Sequence, residues 1–367
     1  MRISFATTRE SRCGVAAYSR ALVSELEKHA RIELVSLDPG AVSSPARLAA
    51  VLNEADVAHI QHQYPFFGGM AVYRNWFRQA LERIQVPLVV TAHELDLGEK
   101  DRLPIKTYKQ WFNRRLFTGP EIDRMVVHSA EYRDRLRGLG VEPEDIRVIP
   151  MGVPSVPGAV IEAEVAKSEL GLSGKKAITI FGFVVKRKGY EIALEALKWL
   201  PEDVTLLIAG SAHPCDRTGY FDALRRRIES GSLARRVKIT GFVPESRLPI
   251  VMAATDVIVA PFLEISSSWS VMHAMAYRKP IIASDLPATR EINERGQCLI
   301  LVKAGEAEDL AGRIQDMLKD QRTLEQASAS VDAYARTWSV TRCALETIAV
   351  YRELSRRPNT QHPTPNT

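Results

Sequence analysis

This 367-residue chain lacks several features that would place it in familiar classes. Its four cysteines, Cys13, Cys215, Cys298 and Cys343, are far apart and show no C-x-x-C spacing. Neither a disulfide framework nor a zinc site is indicated, and a reducing compartment fits. No apolar run is long enough to span a bilayer. The opening Arg2-Ile3-Ser4-Phe5-Ala6 enters a strand pattern without the charged start, apolar core and cleavage site of a secretory leader. A cytoplasmic location is therefore expected. Zinc-finger spacings and RNP-like aromatic motifs are missing, so no nucleic-acid partner is expected. There is no G-x-S-x-G elbow, Walker P-loop or G-x-G-x-x-G fingerprint, which argues against a hydrolase, a P-loop NTPase and a simple dinucleotide oxidoreductase. No two aspartates stand as D-x-D to clamp a metal-bound diphosphate, so neither a metal nor a cofactor is expected.

What is present is the composition of a globular protein, 46% hydrophobic and 25% charged. The length suits two domains of roughly 150 to 180 residues. A net charge of +5 agrees with phosphate-bearing ligands or an anionic membrane surface. Strand-like runs at 3–6, 32–36, 57–61, 88–92, 125–128 and 146–149 alternate with helical segments, including a clear helix over 17–27. A second set follows at 177–183, 205–209, 237–240, 257–260, 281–283 and 299–301. This alternation predicts an α/β protein with two doubly wound parallel sheets. Residues 151–157, with Gly152, Pro154 and Pro157, form the best linker. The expected domains are 1–152 and 153–334. A C-terminal helix over 335–357 is expected to pack back on the first domain, with a disordered tail over 358–367.

Doubly wound sheets bind ligands at the carboxyl ends of their strands, and the candidate residues are taken from there. After strand 257–260, Pro261 leads to a turn with Ser266, Ser267 and Ser268, then a helix-like stretch over 272–277. Such a turn presents free N–H groups and a positive helix end to an anion, although serine is equally an ordinary helix cap. After strand 177–183 comes Lys186-Arg187-Lys188-Gly189, entering a helix over 190–197. Cations there oppose the helix dipole, which suits a diphosphate better than a merely structural loop. Gly14 precedes the first long helix, and His93 follows strand 88–92 within Thr91-Ala92-His93-Glu94. Residues 100–117 mix Lys106, Lys109, Arg114 and Arg115 with Tyr108, Trp111, Phe112 and Phe117. A basic aromatic helix of this kind can lie on an anionic bilayer or simply pack its rings on the core.

The run Gly182-Phe183 to Lys188-Gly189, Leu207 to Gly210, Gly241-Phe242-Val243-Pro244, and Pro261 through Ala276-Tyr277-Arg278-Lys279-Pro280 to Asp285 resembles the donor half of GT-B glycosyltransferases of family four. The first half is similar to one branch of that retaining class through Cys13-Gly14-Val15-Ala16-Ala17-Tyr18, Ile60-Gln61-His62-Gln63-Tyr64, Thr91-Ala92-His93 and Val148 to Pro154. The resemblance implies two Rossmann-like domains facing a central cleft. It implies that Gly14 admits the donor phosphate, Lys188 binds the diphosphate, His93 meets the transferred sugar, and Phe242 with Val243 lines the base pocket.

Where the family has a glutamate pair, this chain has Ile265, with Glu264 beside it, and His273. Phe183 replaces an arginine whose charge Lys186 or Arg187 would carry, and Trp269 stands where the similar branch has glycine. His273 would then serve the ribose or merely pack on its helix. The expected activity is transfer of a hexose from a nucleoside-diphosphate sugar, GDP-mannose first, to a glycan, lipid-linked or small-molecule acceptor, with peripheral membrane contact through residues 100–117. A sugar-nucleotide epimerase and a non-catalytic sugar-nucleotide-binding protein are the rivals.

Overall fold

The structure, a computed structural model, describes residues 1–9, 13–38, 40–42, 44–156, 161–214, 216–265 and 268–356. The expected tail over 358–367 lies outside them, as do Ser266, Ser267 and Pro157. The chain divides into two units: Met1–Gly152 with the residues from Val340 onward, and Val153–Ser339.

The first unit holds one sheet of six strands: β1 (Arg2–Thr7), β2 (Arg31–Ser36), β3 (Val57–His62), β4 (Leu88–Ala92), β5 (Arg124–Val127) and β6 (Ile146–Val148). They pair in the order β2-β1-β3-β4-β5-β6, all parallel, with Ile3 opposite both Ile32 and Val57. The second unit holds β7 (Lys176–Phe181), β8 (Val204–Ala209), β9 (Val237–Ile239), β10 (Val257–Ala260), β11 (Ile281–Ser284) and β12 (Ile300–Val302). Their order, β12-β11-β10-β7-β8-β9, is that of a Rossmann sheet. Strands covered on both faces are mostly apolar, and every residue of β3, β4 and β8 is buried, the polar His59, Gln61 and His62 of β3 included.

Several element ends differ from expectation. The first helix is Gly14–Leu26, because Ala17 N–H already reaches Cys13 O at 3.1 Å. β5 stops at Val127, so His128 lies beyond it and gives its Nδ1 proton to Ile149 O instead. β7 stops at Phe181, since Gly182 turns away at φ +100°. The expected linker is partly buried structure: Val153 N–H donates to Trp338 O at 2.8 Å, and Met151 through Pro154 are buried. The second boundary falls at Ser339 rather than after 334, because the helix Gln321–Thr337 continues past that point. A separate helix, Val340–Ser355, then belongs to the first unit and packs on Gly14–Leu26.

The core of the first unit contains an unusual tenant. His62 is fully buried and stacked on Phe67, with ring centroids 5.3 Å apart and planes at 6°. Phe77, Phe117 and Tyr64 surround it, and neither ring nitrogen has a hydrogen-bond partner among the described residues. Burial alone pushes its pKa from 6.5 down to about 3. Between these two values the unfolded chain holds more protons than the folded one. Stability therefore falls as pH drops from 6.5 toward 3, by at most about 1.4 kcal/mol per pH unit for this residue. His62→Phe should shift acid unfolding to lower pH while leaving the neutral-pH Tm unchanged or raised, because a buried polar group without a partner is lost. Urea unfolding of parent and variant across the acid range checks this, and equal acid sensitivity in the two would contradict it.

Candidate functional site

In the second unit the strand order reverses between β7 and β10, the place where open α/β sheets take ligands. Gly182 leaves β7 in a conformation that favours glycine, and a Cβ there would sit 2.6 Å from Lys188 Nζ and 3.1 Å from Ser270 Cβ. Lys186–Lys188 then forms one 3-10 turn, ended by Gly189 at φ +70°. A side chain at Gly189 would strike Pro261 O at 1.9 Å, so glycine is what lets the β7 loop close on the β10 exit.

This closure separates the three cations. Lys186 and Arg187 are exposed, whereas Lys188 is buried. Its Nζ donates to Phe181 O at 2.8 Å and Ser270 Oγ at 3.2 Å, and lies 5.8 Å from the centre of the Phe262 ring. No carboxylate pairs with it among the described residues. Burial, aided by the charge of Arg187, lowers its pKa from 10.5 to about 7. The result is a concealed cation whose charge state an incoming anion would decide.

Around it, Ser268 caps the helix Trp269–Met275, its Oγ accepting from Val271 N at 3.4 Å and sharing a hydrogen bond with Ser270 Oγ at 2.8 Å. That helix begins before the expected 272, so Ser268 has the ordinary capping role. Glu264 is exposed while Ile265 is buried. His273 stands among Trp269, Phe181 and Tyr277, with centroids 5.8, 6.0 and 6.1 Å away. Burial lowers its pKa, and Glu245 opposes that shift. Phe183 meets the His213 ring edge-on at 4.7 Å. Phe242, after β9, is exposed, and the half-buried Val243 packs against the cluster containing Leu207 and Ala209. Lys188, Ser270, Phe262 and Gly182 thus come together. Ser270 and Phe262 had no earlier signal beyond adjoining the serine turn.

In the first unit the order reverses between β1 and β3. Gly14, after β1, is exposed, and a Cβ there would meet no atom within 4 Å. The unit's own packing does not require a glycine at this position. His93, after β4, is buried between Tyr18 and His128, with centroids 5.3 and 5.1 Å away. Its Nε2 lies 2.7 Å from Gln61 Oε1. Gln61 Nε2 is 3.0 Å from His59 Nε2, which also meets Thr91 Oγ1 at 2.7 Å. His59 Nδ1 is bonded to the Tyr351 hydroxyl. Burial, then the neighbouring imidazoles, hold His93 well below 6.5, so it is neutral at neutral pH. Positions 59 and 61 share one strand face, a readable signal. Tyr351, 292 residues from His59, offered none.

The segment 100–117 forms the helix Leu103–Phe117, which buries Phe112, Asn113, Leu116 and Phe117. Trp111 and Ile105 are each 49% exposed and Leu103 75%. Lys109, expected among the free cations, is paired with Asp96 and Asp101, each at 2.6 Å. The Tyr108 hydroxyl donates to Met70 O at 2.6 Å and accepts from Val72 N at 3.2 Å. This ties Val72 and the 81% exposed Tyr73 to the same outer face.

Comparison with known proteins gives two family matches: Glycosyltransferase Family 4 over residues 14–155 and Glycosyl transferases group 1 over residues 162–338. The chain is 25% identical over 299 residues to the D-inositol 3-phosphate glycosyltransferase of Rhodococcus jostii, covering 78% of this chain and 64% of that relative. It is 31% identical over 173 residues to the phosphatidyl-myo-inositol mannosyltransferase of Mycobacterium leprae, 46% and 44% of the two chains. The match thus spans a little under two thirds of the first relative and less than half of the second. Among solved structures, Anabaena Alr3699/HepE in complex with UDP and glucose superposes with a TM-score of 0.76 at 19% identity, covering 96% of this chain and 100% of that one. At that identity the likeness concerns the fold.

Lys188 generates a test of its own. An anion bound against Nζ restores the full charge, so above pH 7 binding must take up a proton. Nucleoside-diphosphate affinity should fall as pH rises above about 7, by up to about tenfold per unit. Calorimetry in buffers of different ionisation enthalpy should show the proton uptake, and Lys188→Met should abolish it. Affinity independent of pH in the parent would contradict the assignment.

Proposed function

We propose a reaction for this chain, which belongs to the GT-B glycosyltransferases of family four: transfer of a hexose from a nucleoside-diphosphate sugar to an acceptor, with retention of anomeric configuration. The observation that carries it is the buried Lys188 ammonium at the sheet's switch point, with two neutral partners and no carboxylate among the described residues. Such a cation is ready to stabilise a departing diphosphate, and fixed charge in a water-poor site is commonly the largest contribution to catalysis. The exposed Lys186 and Arg187 would add to it. Gly14 would admit the phosphate, since its own surroundings impose no need for glycine. His93 would meet the sugar near the reacting carbon, and His273, Phe242 and Val243 would hold ribose and base. Neither a metal nor an organic cofactor enters this reading.

GDP-mannose is the first donor proposed, supported by the likeness to the mannosyltransferase relative. UDP-glucose is the rival, since UDP and glucose occupy the structural neighbour. The acceptor, a glycan, lipid-linked compound or small molecule, would be held mainly by the first unit. Lys188→Ala should lower kcat/KM by about 10² or more, while His93→Ala should keep Tm and nucleotide affinity but lose most of the transfer rate. A thermal-shift screen of nucleotide sugars selects the donor, and donor-only mass spectrometry separates transfer from epimerisation. Near-normal turnover in Lys188→Ala would overturn the reading.

The same reading includes peripheral contact of this cytoplasmic enzyme with the inner face of the membrane. The outer face made by Leu103, Ile105, Tyr108, Trp111, Val72 and Tyr73 supports it, since interfacial helices combine exposed aromatic rings with nearby cations. Here the cations would be Arg74, Arg102, Lys106, Arg114 and Arg115, with Lys109 already neutralised. Binding to phosphatidylcholine vesicles should require added phosphatidylglycerol, weaken with salt and fall on the order of tenfold in Trp111→Ser or in Arg102→Gln with Arg115→Gln. Equal sedimentation with and without anionic vesicles would remove this part of the proposal.

A further inference from the structure

Hydrogen-bond donors and acceptors are not interchangeable at an amide side chain: the oxygen only accepts and the nitrogen only donates. That asymmetry gives direction to the buried chain behind His93. Gln61 presents Oε1 to His93 Nε2 at 2.7 Å, so Nε2 must carry the imidazole proton. The Gln61 nitrogen, turned the other way, faces His59 Nε2 at 3.0 Å, so that nitrogen must hold a lone pair. The Thr91 hydroxyl converges on the same lone pair at 2.7 Å. His59 then keeps its proton on Nδ1 and donates it to the hydroxyl of Tyr351. Every group in this series is buried, and Tyr351 and Gln61 have no exposed surface at all. None of them can therefore exchange its partner for bulk water.

We propose that Tyr351, His59 and Gln61 are positioning residues that hold the proton of His93 on Nε2 and leave Nδ1 as its acceptor nitrogen. The proposal rests on the reading of His93 as a residue at the reacting sugar, where a neutral acceptor would receive a substrate hydroxyl. It also gives the C-terminal helix Val340–Ser355 a part in the site, through a side chain that does not touch His93. The links are coupled. If His59 moves its proton to Nε2, the Gln61 amide must rotate by half a turn to accept it. Its nitrogen then faces His93, which must in turn carry its proton on Nδ1. Removing the Tyr351 hydroxyl strands the Nδ1 proton of His59 in the interior and drives this change.

Nitrogen-15 NMR of the full chain labelled at histidine reads the two tautomers directly, with His93→Ala and His59→Asn identifying the signals. The parent should show His93 protonated on Nε2 and His59 on Nδ1. Tyr351→Phe should invert both, while Gln61→Glu, which still offers an accepting oxygen, should keep His93 protonated on Nε2. In transfer assays Tyr351→Phe should lower kcat about tenfold without changing nucleoside-diphosphate Kd. A parent His93 protonated on Nδ1, or a tautomer unmoved in folded Tyr351→Phe, overturns the proposal. Should Tyr351→Phe fail to fold, Gln61→Leu answers the same question, a mixed His93 tautomer supporting the relay and an unchanged one refuting it. Because the NMR measurement needs no turnover, failure of the transferase reading and failure of the relay remain distinguishable.

Discussion

A strand that runs parallel to its neighbour cannot be reached by a tight turn. Each pairing needs a crossover, and because the strands all run the same way their carboxyl ends lie along one side of the sheet. Both six-stranded sheets obey this constraint throughout. The candidate residues follow from it. Lys188 lies after β7, Ser268 and Ser270 after β10, Phe242 after β9, Gly14 after β1 and His93 after β4. Chemistry gathers there because the helices that follow the strands begin on this side, with their free N–H groups turned toward it.

The same constraint explains what could be read in advance. Buried parallel strands are mostly apolar runs, and all twelve expected strands occur where those runs stand. Their ends were harder, because they depend on partners that are distant in sequence. His128 looks like one more strand residue until Ile149 supplies an acceptor for its ring. Among the candidate site residues, three adjacent cations are indistinguishable in a sequence. Two glycines in left-handed conformations and the Pro261 carbonyl decide that Lys188 alone goes inward. On the helix Leu103–Phe117, adjacent aromatic residues part company for a similar reason. Phe112 turns to the core and Trp111 outward, a choice set by neighbours rather than by side-chain type.

The two units bury polarity in opposite ways. Beneath the strand ends of the first lie imidazoles, an amide, a threonine hydroxyl and phenols, all neutral and largely satisfied by one another. Beneath those of the second lies the Lys188 ammonium, hydrogen-bonded among the described residues to a carbonyl and a hydroxyl. The first interior suits recognition of hydroxyl-rich groups, where direction of donation matters more than charge. The second suits an anion, since a desolvated cation gains most from an opposite charge.

The return of Val340–Ser355 to the first unit has a consequence for the order in which the chain can be built. Arg124 in β5 is almost wholly buried, and its guanidinium is ion-paired with Asp145 and with Glu353 of that last helix. Tyr18 of the first long helix likewise finds Cys343 there. During synthesis, residues 1–152 leave the ribosome ahead of the helix Val340–Ser355, and they lack these partners until that helix has emerged. Residues 153–339 contain all six strands of their own sheet and can close while the earlier segment waits. The unit begun earlier is therefore finished later, and a chain cut short before Val340 leaves it incomplete.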